Sequence, residues 1–306
     1  MGQNILVTGA SGLIGQRLTD LLQQKGYQVS HLSRTSSDGP VKTYTWNVNR
    51  QTMEEGALDN VDTLVHLAGA GVADKRWTTS RKQEIRESRT HSTQLLYKAL
   101  KSKPNRVKAL ISASAIGYYG FADEDRTFTE LDPPANDFIA RVVREWEAEV
   151  DRITTLGIRV VKVRIGIVLS EKGGALREMA APVRWGVGSP LASGKQLLSW
   201  IHIDDVCGIF MHAMEDREMA GAYNAVGPYA VSNEELTKKI AKHLRRPLWL
   251  PNVPAFALKL YLGEMADMVI HGNNVSSEKI KKSGYTFRYP DLDGALDHLL
   301  RPRRPA

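Results

Sequence analysis

Eight residues near the start, "TGASGLIG" from Thr8 to Gly15, place glycines at positions 9, 12 and 15. The run follows the apolar "NILV" and precedes a segment whose Ile14, Leu18, Leu21 and Leu22 fall on one helical face. A glycine turn between strand and helix does chemistry through what it leaves bare. Gly9 permits the tight turn, Gly12 lets backbone approach a diphosphate, and Gly15 lets the helix pack close on the sheet. Free N–H groups at the helix start, with the positive end of its dipole, then hold the phosphates. The second strand ends in "SHLSRT", where an NAD enzyme offers an acid to the ribose hydroxyl. This chain offers Ser33 and Arg34, and its next acid is Asp38. A guanidinium binds a 2′-phosphate that a carboxylate would repel, so the expected cofactor is NADP(H).

These residues need elements to hold them. Strand-like runs "NILVTG", "YQVSHL", "KTYTW" and "VDTLVHLAG" lead to a long polar helix from about 78 to 101. The strand "VKALISAS", a helix over about 134–154 and the strand "IRVVKVRIG" continue the alternation. Strands separated by helices imply crossovers, hence an α/β, Rossmann-type doubly wound parallel sheet with a small, mainly helical C-terminal lobe. The expected boundaries are 1–230 for an NADP(H)-binding domain, with an irregular substrate lobe over about 173–199. A helical domain over 231–300 and a disordered basic tail, "RPRRPA" at 301–306, complete the chain.

At 306 residues with 42% hydrophobic side chains, the chain is long and apolar enough for a large core. No run approaches the ~20 apolar residues of a membrane span, and the N-terminus lacks the pattern of a signal peptide. With Met1-Gly2 the sixth residue is Leu, which does not fit myristoylation. Cys207 is the single cysteine, which excludes an internal disulfide and a thiolate metal cluster and suits a reducing cytoplasm. The net charge of +7 comes from scattered Lys and Arg without interleaved aromatics, so nucleic acid is not an expected partner. The expectation is a cytoplasmic monomer or homodimer acting on an unidentified small molecule, with no metal and no membrane contact.

"TGASGLIG", "HLAG" at 66–69, "SAS" at 112–114 and "WIHIDD" at 200–205 together resemble an extended short-chain dehydrogenase/reductase. With "GYYG", "WEA" and "GGAL", the chain is similar to the atypical branch called epimerase family proteins, which carries a small C-terminal domain of unknown function. The resemblance implies cofactor contacts at Gly9, Ser11, Gly12, Leu13 and Ile14, with Ser33 and Arg34 on the adenosine phosphate. It implies Leu67 and Ala68 at the fourth strand's end, Glu84 and Arg89 on the following helix, and Val168 near the nicotinamide half. Asn47 stands where many relatives place an Asp against adenine.

In most of that superfamily a Ser, a Tyr and a Lys move the proton that accompanies hydride transfer. Ser114 ends its strand in the expected place, but Phe138 and Val142 stand where the tyrosine and lysine belong. Tyr97 and Lys101 match the Y-x-x-x-K spacing one crossover too early to face a nicotinamide. Tyr118 and Tyr119 follow Ser114 and offer either a replacement proton donor, Tyr118 being the candidate, or an aromatic pocket wall. Asp204 and Asp205 are expected to cap a helix and His202 to close a structural hydrogen bond, while Arg164, Arg184 and Lys195 are either contacts for an anionic substrate or surface charges. Two readings stay open: a reductase of a small carbonyl compound, and a catalytically silent NADP(H)-binding regulator.

Overall fold

The computed structural model describes residues 3–121 and 126–301. The basic tail expected at 301–306 therefore lies outside the described residues, apart from Arg301. In chain order the strands are β1 (Asn4–Thr8), β2 (Gln28–Ser33), β3 (Lys42–Asn47), β4 (Thr52–Met53), β5 (Thr63–His66), β6 (Ala109–Ala115), β7 (Thr127–Phe128), β8 (Arg159–Ile165), β9 (Ile167–Leu169), β10 (Leu197–Leu198), β11 (Trp200–His202), β12 (Gly221–Ala225), β13 (Val231–Ser232) and β14 (Asn274–Val275). The α-helices are α1 (Leu13–Gln24), α2 (Thr79–Ser102), α3 (Phe138–Asp151), α4 (Ala175–Arg184), α5 (Ile203–Glu215), α6 (Asn233–Leu244), α7 (Ala255–Leu262), α8 (Asp267–Ile270), α9 (Glu278–Lys282) and α10 (Leu292–Leu300).

Two compact units form. The first comprises Met1–Tyr118, Asn136–Arg164 and Cys207–Tyr223. Its sheet runs β12-β8-β6-β5-β1-β2-β3-β4. The pairs β1–β2, β1–β5, β2–β3 and β5–β6 are parallel, and β4 turns back antiparallel on β3. Ile5, Leu6, Val7, Leu64, Val65, Leu110 and Ile111 are fully buried, as expected of parallel strands covered on both faces. Because β1 pairs with both β2 and β5, the chain winds in opposite senses from that point. Open α/β sheets bind ligands at such a switch, outside the carboxyl ends of the strands. Helix α3 starts on an Asp137 cap, whose carboxylate accepts from Ala140 N at 3.0 Å. It buries Ala140, Val142, Val143, Trp146, Glu147 and Val150 along one face.

The second unit comprises Tyr119–Ala135, Ile165–Val206 and Asn224–Ala306. It is built from short pairs, β9 with β11, β10 with β13 and β7 with β14, and from α4 and α6–α10. Its "IHIDD" segment departs from the expected cap. The His202 ring receives the Asp204 N–H at Nδ1, 2.9 Å away, so the histidine closes the start of α5. Asp205 instead accepts from the Arg288 and Tyr289 N–H groups at 2.7 and 2.9 Å and from the Tyr285 hydroxyl at 3.0 Å. One buried carboxylate thus fixes the 285–289 loop. Burial pushes its pKa up, against those hydrogen bonds.

Candidate functional site

The glycine loop stands between β1 and α1, as its spacing predicts. Gly9 has φ +67°, and a Cβ there would lie 2.7 Å from the Leu67 carbonyl carbon and 2.8 Å from Ala68 N. Any larger residue would push the loop off the end of β5. A Cβ on Gly15 would overlap Gly9 O and Ala10 Cα, so α1 rides directly on the turn. Gly12 is the residue before α1; no side chain caps that end, and no acid sits in its first turn. Ser11 and Gly12 are exposed, with Leu13 and Ile14 half-buried behind them. The result is a bare helix N-terminus of positive potential.

Register carries the other strand ends to the same edge. Thr8 pairs with His66 and His66 with Ser112, so Gly9, Leu67 and Ser114 follow on one side of the sheet. Beneath them lies a hydrogen-bond network whose protons are all assigned. Thr8 Oγ1 accepts from Leu67 N at 3.1 Å and Ala68 N at 3.2 Å, which uses both lone pairs. Its hydroxyl therefore donates to His66 Nδ1 at 2.8 Å. The His66 proton is then on Nε2, donated to Thr93 Oγ1 at 3.1 Å, while Thr93 and Ser92 donate to Arg89 O. Burial, then the Arg89 charge, lowers the His66 pKa to about 3, so this ring is neutral. Through it, β1, β5 and α2 are locked together.

Arg89 lies against Gly69, where a Cβ would come within 3.2 Å of its Cζ, and 5.3 Å from the Trp146 ring centre. One of its nitrogens donates to Ile85 O at 2.8 Å. No carboxylate among the described residues pairs with it. Burial lowers its pKa to about 10, which still leaves it charged at neutral pH. Glu84 accepts from Arg81 Nη1 at 2.6 Å, and Arg81 also donates to Gly71 O. Arg81, buried in a helix of polar appearance, was not foreseen. Its Nε is buried without a partner in the described structure.

Ser33 is half-buried at the end of β2 and Arg34 is exposed just beyond it. Among the described residues no acid pairs with Arg34. Asn47 closes its own turn by accepting from Arg50 N at 2.9 Å. Val168 lies on β9 of the second unit, in register with Ile201.

Ser114, buried at the end of β6, donates its hydroxyl to Glu147 Oε1 at 2.6 Å. Glu147 is bidentate with Arg164, at 2.8 Å from Nε and 2.9 Å from Nη2, and Lys162 Nζ stands 3.4 Å away. Lys162 also reaches Asp151 at 2.8 Å. Two periodicities build this cluster: Lys162 and Arg164 share a face of β8, and Glu147 and Asp151 lie one turn apart on α3. Burial pushes the Glu147 carboxyl up, but the Arg164 bonds and charge, Lys162 and Ser114 together hold it below its ordinary value. Arg164 is therefore engaged by Glu147, while Arg184 and Lys195 are exposed. Charged residues alternating within the apolar strand "RVVKVRI" were the available signal for a buried partner such as Glu147.

The Arg164 guanidinium also lies 3.6 Å from the Tyr118 ring centre, fixing that half-buried ring beside the Ser114 cluster. Tyr119 is committed elsewhere, its hydroxyl donating to Asn224 Oδ1 at 2.7 Å. Phe138 packs edge-on against Trp77 at 5.0 Å with the Lys82 ammonium 5.2 Å from its ring centre, and Val142 is buried. Neither offers a proton. Tyr97 carries the Arg152 guanidinium 4.6 Å from its ring centre on the flank of α2.

The comparisons agree with this architecture. Residues 5–227 match the model of the NAD dependent epimerase/dehydratase family, and residues 253–299 match a domain of unknown function, DUF1731. The chain is 36% identical to the epimerase family protein YfhF of Bacillus subtilis, over 98% of this chain and 99% of that one. It is 34% identical to the chloroplastic SDR39U1 homolog of Arabidopsis thaliana, over 97% of this chain and 86% of that one. The crystal structure of human epimerase family protein SDR39U1 (isoform 2) with NADPH superimposes with a TM-score of 0.89 at 32% identity, covering 97% of this chain and 99% of that one. By family model, relatives and fold alike, the chain belongs to the NAD dependent epimerase/dehydratase family.

Proposed function

We propose that the protein binds NADP(H) over the carboxyl ends of β1, β2 and β5 and reduces a small carbonyl compound. The observation that carries this reading is the bare cradle, in which Gly9 leaves no room for a Cβ and the start of α1 has neither cap nor acid. Gly9, Ser11, Gly12, Leu13 and Ile14 would hold the diphosphate through backbone N–H groups, with Leu67 and Ala68 beside them. Exposed Arg34, which pairs with no acid among the described residues, would with Ser33 take the 2′-phosphate, and the NADPH in the human relative supports that choice. Arg89, which pairs with no carboxylate among the described residues, and Glu84 complete the proposed contacts of this unit.

The cofactor, when bound, supplies the hydride. Ser114 already spends its proton on Glu147, so toward a ligand it presents a lone pair and serves to position a donor group. Tyr118, held by Arg164, is then the side chain that offers a proton. The filled positions of Phe138 and Val142 favour a second reading, a regulator that binds NADP(H) without turnover.

Fluorescence titration with NADPH and NADP⁺, followed by NADPH oxidation against a broad carbonyl panel, separates the two. The reductase predicts turnover that falls about 10²–10⁴-fold in Tyr118→Phe. Tight binding without turnover on any carbonyl leaves the regulator, and no binding of either form sinks both.

A further inference from the structure

The second unit carries large apolar side chains with nothing over them. Trp185 is 84% exposed, Trp249 69%, Phe256 74%, Leu260 80% and Tyr261 79%, with Val187 beside them. They come from the end of α4 and from the 249–261 segment, which one side-chain and two backbone hydrogen bonds tie to the stretch after α4. Trp249 Nε1 donates to Gly186 O at 2.9 Å, Val253 N to Pro190 O at 2.9 Å, and Ala192 N to Val253 O at 2.8 Å. Helix α7 reads "AFALKLYL", and Phe256 and Leu260 share one face of it at i, i+4. A helix this apolar is normally buried, and a patch of this kind marks a contact surface.

Charge identifies the occupant. Residues 179–203 and 236–263, which contain the whole patch, include no Asp or Glu. Arg184, Arg245, Arg246 and Lys259 are exposed there, and none forms an ion pair among the described residues. A second copy seated on this patch by two-fold symmetry would set these cations against their own counterparts. We propose that the patch docks peripherally on an anionic phospholipid surface. Phe256, Leu260 and Trp185 enter the acyl boundary, Trp249 and Tyr261 sit at headgroup level, and the arginines and lysine meet the phosphates. No helix among the described residues is long and apolar enough to cross a membrane, so the contact is with one leaflet. The expectation of no membrane contact rested on the lack of a span, a criterion blind to this mode.

The test is sedimentation of the full chain with phosphatidylcholine vesicles, with and without phosphatidylglycerol. Binding is expected only with phosphatidylglycerol, weakening as salt rises. Phe256→Ser and Leu260→Ser should each lower the partition about tenfold. Arg245→Glu/Arg246→Glu should lower it about tenfold or more. NADPH titration and thermal unfolding of each variant report whether its fold is kept. Blue-shifted tryptophan emission quenched by brominated lipid gives a readout on the unaltered protein. The proposal is overturned if the unaltered protein ignores anionic vesicles, if the serine variants bind as well as it does, or if light scattering shows a dimer that those variants dissolve.

Discussion

Ser114 Oγ lies 2.6 Å from Glu147 Oε1, and the serine is the donor. A serine at this strand end in a carbonyl-reducing enzyme is expected to point its proton at the substrate. Here the proton points into the protein, at a carboxylate already closed on Arg164 and approached by Lys162. The Arg164 charge is thus closed on Glu147, which holds β6, α3 and β8 together, while the face of its guanidinium rests on the Tyr118 ring.

Glu147→Ala would strip Arg164 of its bidentate acceptor within the core. Removing one member of a buried pair costs about 3–5 kcal/mol, so urea unfolding should show a loss of that size. Adding Arg164→Leu should cost less than the two single changes summed, since the stranded cation is gone. The pH sign follows from the depressed carboxyl. Its stabilisation is complete above the unfolded value of 4.5 and is lost as pH falls through the lower folded value. The unaltered protein should therefore lose stability in acid more steeply than Glu147→Ala.

His66 makes a second prediction in a different window. Its pKa falls from 6.5 to about 3 on folding, so between those values the unfolded chain binds a proton that the native ring refuses. The stabilisation is full above 6.5 and declines as pH falls toward about 3, by about 1.4 kcal/mol per unit at most. From pH 7 to pH 5 this group should account for a loss of about 2 kcal/mol. Denaturation of His66→Gln at both pH values should show that part of the slope gone, whatever its absolute stability. An unchanged slope would mean that the ring is charged or exposed in the folded protein.

The parallel core and glycine turn were legible because each announces itself locally. "NILVTG" and "VDTLVHLAG" are continuous apolar runs, and three glycines at fixed spacing follow the first. The Glu147 cluster was not legible, because it joins residues 33 and 17 positions apart that no local period connects. The cap of α5 misled for a related reason. Asp205 looks like a helix-starting acid, but its partners, 83 and 84 residues downstream, lie in a loop whose backbone needs acceptors. Short strands such as β7 and β14 exist only through their pairing and carry no pattern of their own.

Tyr97 tests how far spacing alone misleads. It has the Y-x-x-x-K relation to Lys101, and its pKa is lowered, first by a hydrogen bond with Thr155 and then by Lys101 and Arg152. Those partners stand on the outer flank of α2 and on the turn after α3, so the shift reports a surface cluster. Tyr97→Phe should leave NADPH affinity and any turnover within about twofold. A hundredfold fall in turnover would instead place the proton donor on α2.

On the proposed reading, Arg34 sets which dinucleotide the loop accepts. Its guanidinium is exposed at the end of β2, and no acid in the described structure competes for it, so a 2′-phosphate would find it already oriented outward. A charge-assisted hydrogen bond contributes about 1.5–3 kcal/mol, so Arg34→Ala should weaken NADPH binding roughly 10–100-fold. NADH, which lacks the phosphate, should bind the variant as it binds the unaltered protein. Arg34→Asp should go further and reverse the order, because its carboxylate would accept from the free ribose hydroxyl while repelling the phosphate. Fluorescence titration of the three proteins with both reduced cofactors checks this directly. Equal losses for NADPH and NADH would show that Arg34 supports the loop rather than reading the phosphate.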